Sequence, residues 1–169
     1  IKETSLAGKK IFVYAGNMGI AQGMGLVMEL VQEMKCRQDV GFIFVGRGSD
    51  VKQLKKRAEE SRLNNVLFFD EIDSDEIPSL YAQCDVGIVA LDPRHKTHNI
   101  PGKFLSYMLS GLPVLAMVNK GNDIIDLIQS YKVGRIFTED STVRVSDVAN
   151  SLLRDVAQGN ITDTQCKVL

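Results

Sequence analysis

Apolar positions along the chain switch between short β-rich runs and longer stretches with a helical period. Residues 11–15 (IFVYA) read as a strand closed by Gly16. A glycine-spaced turn follows, then a helix whose Leu26, Val27, Leu30, Val31 and Met34 share one face. Residues 42–45 predict a second strand, and Asp50 is placed to cap the helix bearing Val51, Leu54 and Ala58. Residues 66–69 predict a third strand. Ser74, followed by Asp75 and Glu76, reads as a capped helix start, with Pro78 in the first turn and an end near Gln83. Residues 86–91 and 114–118 are continuous apolar runs without alternation, the pattern of strands buried on both faces. Between them a polar loop leads to a helix over about 102–110, with Gly111 just past its end. Asn122 or Asp123 caps a helix bearing Ile124, Ile125, Leu127, Ile128 and Tyr131. A short strand at 135–137 precedes a last amphipathic helix with Val145, Val148, Leu152 and Val156, and the polar tail from Gly159 is expected to be loose.

Strands alternating with helices across short loops predict an α/β fold: a doubly wound, parallel, six-stranded Rossmann-like sheet in one domain. No repeat or interdomain linker interrupts it. At 169 residues the chain can bury a proper core unaided. With 44% hydrophobic and 24% charged residues, disorder, collagen and coiled coil are excluded. Twenty basic against twenty-one acidic residues give a net charge of −1, so no overall field favours nucleic acid or anionic lipid. Any anion site must be local. Cys36, Cys84 and Cys166 lack metal-ligand spacing and are odd in number, which fits a reducing compartment. The apolar runs are too short to span a bilayer, and no signal-peptide pattern opens the chain. A first residue of Ile1 rather than Met suggests a piece of something longer.

In such sheets ligands bind beyond the strands' carboxyl ends, where the strand order reverses. An order of 3-2-1-4-5-6 puts the loops after strands one and four side by side. The first, GNMGIAQG, offers Asn17, Gly19 and Gln22 beside a helix start. It suits phosphate or sugar contact, or serves only as a tight turn, and it is neither GxGxxG nor a Walker loop. The second, DPRHKTHNIPGK, gathers Arg94, His95, Lys96, His98 and Lys103 against one acid, Asp92. Lys103 falls in the first turn of a helix, where the dipole repels a cation and a bound anion would reverse the sign. His98 is either a site residue or a plain loop residue. Gly46-Arg47-Gly48, after strand two, could lay a guanidinium or a backbone edge against a nucleobase, or form a plain turn. Asp70 and Glu71, with Asp73 and Asp75 nearby, read as a solvated acidic turn rather than a carboxylate pair. Tyr107 and Met108 read as helix packing.

The segments YAGNMG, FIFVGRG, NVLFFD, AQCDVGIVAL and IPGKFLSYMLSGLPVLA resemble the C-terminal, donor-binding half of family-4 glycosyltransferases of the GT-B fold, from about residue 11 to 156. GNMGIAQG, together with the last block and the following GND, is most similar to bacterial O-antigen and capsule enzymes, in particular N-acetyl-L-fucosaminyltransferases. The resemblance implies a UDP-sugar donor and retaining transfer of a hexose-type sugar without metal or other cofactor. It also implies an N-terminal acceptor-binding domain in the same chain, and a cytoplasmic location at the inner face of the membrane through that missing half. Residues 1–169 would then be one nucleotide-sugar-binding domain, inactive alone. Diphosphate would rest on the backbone of Gly102, Lys103 and Phe104. Ser106, Gly46 and Arg47 would serve the nucleoside, and Asn17, Gly19, Gln22 and His98 the donor sugar. The family's two glutamates, eight positions apart, fall on His98 and Ser106, neither acidic. The alternatives are a sugar-nucleotide epimerase half-domain and a non-catalytic nucleotide-binding or scaffold module. No nucleic-acid partner is expected.

Overall fold

The computed structural model describes residues 1–92, 94 and 100–167. Six strands form one parallel sheet: β1 (Lys10–Ala15), β2 (Val40–Val45), β3 (Val66–Phe69), β4 (Val86–Ala90), β5 (Val114–Met117) and β6 (Gly134–Phe137). Their order is β3-β2-β1-β4-β5-β6, with the expected reversal between β1 and β4. The helices are α1 (Met24–Glu33), α2 (Val51–Glu60), α3 (Ile77–Tyr81), α4 (Gly102–Leu109), α5 (Ile124–Tyr131), α6 (Val145–Ala157) and α7 (Asp163–Cys166). A 3₁₀ turn at Ile20–Gln22 precedes α1. Every residue of β2, β4 and β5 is buried, because apolar side chains leave both faces of these strands and helices cover each face. Phe12 stacks on Phe42 at 5.2 Å between ring centroids, and Phe44 meets Phe68 edge-on at the same distance.

Two sheet features bear directly on the site. β1 pairs with β2 along its whole length, from Lys10 with Val40 to Ala15 with Val45. It pairs with β4 only at Phe12–Val86 and Val13–Gly87, beyond which the two strands part. Tyr107, from α4, fills the gap. Its fully buried hydroxyl lies 3.2 Å from the carbonyls of Val13 and Ile88, and it accepts the Ala15 N–H at 3.4 Å. A side-chain hydroxyl thus stands in for the next rung of the ladder. Gly87 makes this possible, since a Cβ there would fall 2.6 Å from the Tyr107 ring. Tyr107 does more than the helix packing its sequence position suggests.

Three local expectations need correction. The segment from Ser74 does not cap a helix. Residues 73–76 form a turn in which the Asp73 N–H meets the Glu76 carboxylate at 3.3 Å, and α3 starts only at Ile77, with Pro78 in its first turn as expected. Asp50 stands at the start of α2 but its carboxylate accepts from Ser49 Oγ at 2.8 Å instead of capping the helix. The tail is folded as far as Lys167. Thr162 accepts the Gln165 N–H and the Gln165 side chain accepts the Thr162 N–H, a reciprocal cap that folds α7 and buries Cys166 beside α4. Between Asn122 and Asp123, Asn122 takes the capping role: its Oδ1 accepts the Ile124 N–H at 3.1 Å. Among the described residues, no helix is long and apolar enough to cross a membrane.

Candidate functional site

The loops after β1 and β4 touch, as the strand reversal requires: the Asp92 N–H donates to the Ala21 carbonyl at 3.0 Å. Beside this contact a cavity of about 670 Å³ opens at the carboxyl ends of β1 and β2. Its floor is Ala15 and Gly16 on one strand end and Val45 and Gly46 on the other. α4 supplies Lys103 and Ser106, the turn after β3 supplies Glu71, Ile72, Asp73 and Ser74, and α3 adds Ile77 and Tyr81. The volume is in the range of ordinary small-molecule sites. Gly46 is required by close approach: at its φ of +139° a Cβ would fall 2.1 Å from the Gly16 carbonyl oxygen.

Lys103 occupies the second position of α4. The residue is half-buried at the cavity wall, and its ammonium folds back onto the end of the sheet. It lies 3.6 Å from the centre of the Tyr14 ring, against Gly16. No carboxylate among the described residues pairs with it, and burial pulls its pKa down from 10.5 to about 7. The attraction of the ring face for a cation opposes that pull. Next to the ammonium is the start of α4. The Phe104 N–H is already taken by the Pro101 carbonyl at 2.9 Å, and Phe104's side chain is buried in the core, so Phe104 cannot offer the amide expected of it. Gly102 and Lys103 keep the amides that no backbone carbonyl of the described residues accepts. Gly102 is exposed there. Two helix amides and an ammonium with no carboxylate partner among the described residues can form a cradle for an oxyanion.

The opposite wall has the reverse charge. Asp70, Glu71, Asp73 and Asp75 are exposed, as a solvated acidic turn should be, and Glu71 and Asp73 also edge the cavity. Arg47 sits at the rim, mostly exposed, with its guanidinium 3.3 Å from Glu71. A ligand anionic at one end and rich in N–H or O–H donors at the other matches both walls. Ser106 can add only a neutral hydroxyl, which now donates to the Gly102 carbonyl at 3.3 Å.

Other expected residues lie elsewhere. Asn17 and the Gly19 N–H both donate to the Gln22 side-chain oxygen, at 3.0 and 3.1 Å, so these three residues close the first loop on itself and do not line the cavity. Arg94 is not a free cation: its guanidinium grips the Asp92 carboxylate at 2.9 and 2.6 Å, in the groove beside α1 and α2. His95, Lys96 and His98 lie outside the described residues. Residues that the sequence did not single out are Tyr14, Ile72, Ile77 and Tyr81. The one available signal was position, since each sits at or just beyond a strand's carboxyl end or in the segment that follows.

The family model for "Glycosyl transferases group 1" matches residues 9–155. The chain belongs to this glycosyltransferase family. It is 30% identical over 127 residues to a Pseudomonas aeruginosa protein named as the glycosyltransferase WbjE, covering 75% of this chain and 32% of the relative. It is 24% identical over 147 residues to WcaI of Escherichia coli K12, named for colanic acid biosynthesis, covering 86% and 36%. The chain therefore spans about a third of the length of these curated relatives. Among solved structures, Anabaena HepE in complex with UDP-glucose superposes with a TM-score of 0.73 at 21% identity, over 96% of this chain and 43% of that one. Glycosyltransferase domains of the GT-B type thus share this sheet, and the narrower likeness to N-acetyl-L-fucosaminyltransferases stays an inference from sequence.

Proposed function

We propose that this chain is the donor-binding half of a two-domain enzyme that transfers a sugar from a UDP-sugar in the synthesis of a bacterial surface polysaccharide. The observation that carries the reading is the Lys103 ammonium, half-buried at the wall of a cavity of nucleotide size and without a carboxylate partner among the described residues, beside the Gly102 and Lys103 amides. The diphosphate lies at that end and the nucleoside toward Glu71 and Asp73. The family membership supports sugar transfer, the UDP-glucose bound by HepE supports the donor class, and the name of WcaI supports the polysaccharide.

In this reading the chain's own contribution to catalysis is electrostatic. As the glycosidic bond to the donor phosphate breaks, negative charge grows on the departing diphosphate. Gly102 N–H, Lys103 N–H and the Lys103 ammonium meet it without rearrangement. Transfer with retention at the sugar, without a metal ion, and with an acceptor held by a second domain completes the proposal. The nucleoside-side contacts fall to Gly46, Arg47 and Ser106. The test is a calorimetric titration of the chain with UDP, GDP, ADP and NAD, followed by a transfer assay with and without the rest of the enzyme. Saturable binding of UDP alone, with transfer only by the longer protein, is the expected result. Preference for NAD or ADP, or equal indifference to all four, contradicts the reading.

A further inference from the structure

Tyr14 is fully buried near the end of β1, with one polar contact at its ring face and another at its hydroxyl. Its ring face carries the Lys103 ammonium at 3.6 Å, and its hydroxyl donates to the Asn17 carbonyl at 2.7 Å. One side chain therefore touches both the cation of the cradle and the loop after β1. The ring also meets Phe44 edge-on at 6.4 Å between centroids, so one face serves the core and the other the ammonium.

We propose that Tyr14 is the positioning residue of the anion cradle, its ring holding the Lys103 ammonium in place and charged while its hydroxyl fixes the first loop. This rests on the donor-binding reading for what the cradle holds, but not for how the two side chains interact. An amine at this depth would shed its proton readily, and a neutral amine attracts no diphosphate. The quadrupole of an aromatic face is one of the few partners that stabilises a cation without supplying a counter-charge, so the ammonium stays available to an incoming anion. A carboxylate partner would neutralise it and compete. The other titratable groups around Lys103 among the described residues are Tyr107 on its own helix, Tyr81 on α3, and Glu71 and Asp73 across the cavity. Burial pushes the Tyr14 and Tyr107 hydroxyls up and that of Tyr81 to about 12, so none of the phenols titrates near neutral pH. Both carboxylates are the same in every variant below.

The test replaces Tyr14 by phenylalanine, and then by phenylalanines carrying one, three and five ring fluorines, which weaken the ring's quadrupole with little change of shape. The titration midpoint of Lys103 is read by NMR from ¹³C-labelled lysine without ligand, its resonance assigned with Lys103→Arg. Tyr14→Phe should leave the midpoint near that of the wild type while weakening UDP binding roughly two- to tenfold, through loss of the Asn17 tie. Across the fluorinated series the midpoint should fall progressively, by about half a pH unit or more at five fluorines, with UDP affinity at neutral pH falling in step. A midpoint that ignores fluorination overturns the proposal. If the wild type binds no UDP, the donor reading fails, and the midpoints still decide whether the ring holds the charge.

Discussion

Replacing Tyr107 by phenylalanine removes one oxygen atom and leaves the ring that Gly87 accommodates. The hydroxyl is fully buried and serves the Ala15 N–H at 3.4 Å and the Val13 and Ile88 carbonyls, each at 3.2 Å. One O–H donates to one carbonyl at a time, so the variant leaves one N–H and one carbonyl without a partner. A typical buried hydrogen bond contributes about 0.5–1.5 kcal/mol net, and an orphaned buried group costs about 1–3 kcal/mol. The Ala15 contact is long and belongs at the low end. The sum is a destabilisation of about 2 kcal/mol, equivalent to roughly 4–8 °C in Tm for a chain of this size. Urea unfolding should show a lower midpoint with an unchanged slope, marking a loss of stability without a change in compactness. Hydrogen exchange supplies the local readout. The Ala15 amide should lose more protection than its neighbours on β1 that pair with β2. If Tyr107→Phe unfolds within about 0.5 kcal/mol of the wild type and Ala15 exchanges as before, the hydroxyl does not replace a ladder rung.

Gly46→Ala should cost at least about 2 kcal/mol, because its Cβ would meet the Gly16 carbonyl at a φ of +139°, and circular dichroism melts would show it. Lys103 loses its proton at about pH 7 in the folded chain, against 10.5 for an ordinary lysine, so between these values the unfolded chain binds more protons and stability rises with pH. Lys103→Met should therefore be more stable than the wild type at pH 6 by a margin that shrinks toward pH 10, and a constant margin in urea midpoints contradicts the assignment. Thr162→Ala should cost about 1 kcal/mol by removing the α7 cap and should speed thiol labelling of the buried Cys166, whereas the exposed Cys36 reacts at once in both proteins.

The fold was readable because its signals are local and redundant. Runs such as VGIVA and VLAM are too apolar and too short for anything but strands buried on both faces, and six strands alternating with helices leave little choice of topology. Lys103 was readable as well, because a cation in the first turn of a helix opposes the dipole and asks for a reason. The rest of the site depends on contacts that spacing does not encode. Tyr14 and Lys103 lie far apart in sequence, and only the β1–β4 reversal brings ring and ammonium together. Arg94 looked free because its partner, Asp92, was counted as one acid among many cations rather than as the residue two positions away that holds it. The acidic turn is solvated as its composition implied, and spacing could not show that Glu71 and Asp73 also edge the cavity. The tail as far as Lys167 was misjudged because Thr162 and Gln165 stand three apart as a capping pair, and the polar residues around them hid it.

The most direct test of the account is the affinity of the chain for UDP, measured by calorimetry at pH 7 in buffers of different ionisation enthalpy, with Lys103→Ala alongside. The account predicts saturable binding accompanied by net proton uptake, because an anion in the cradle favours the charged amine, and loss of both in the variant. Binding that Lys103→Ala leaves intact, or that moves no protons, would contradict it.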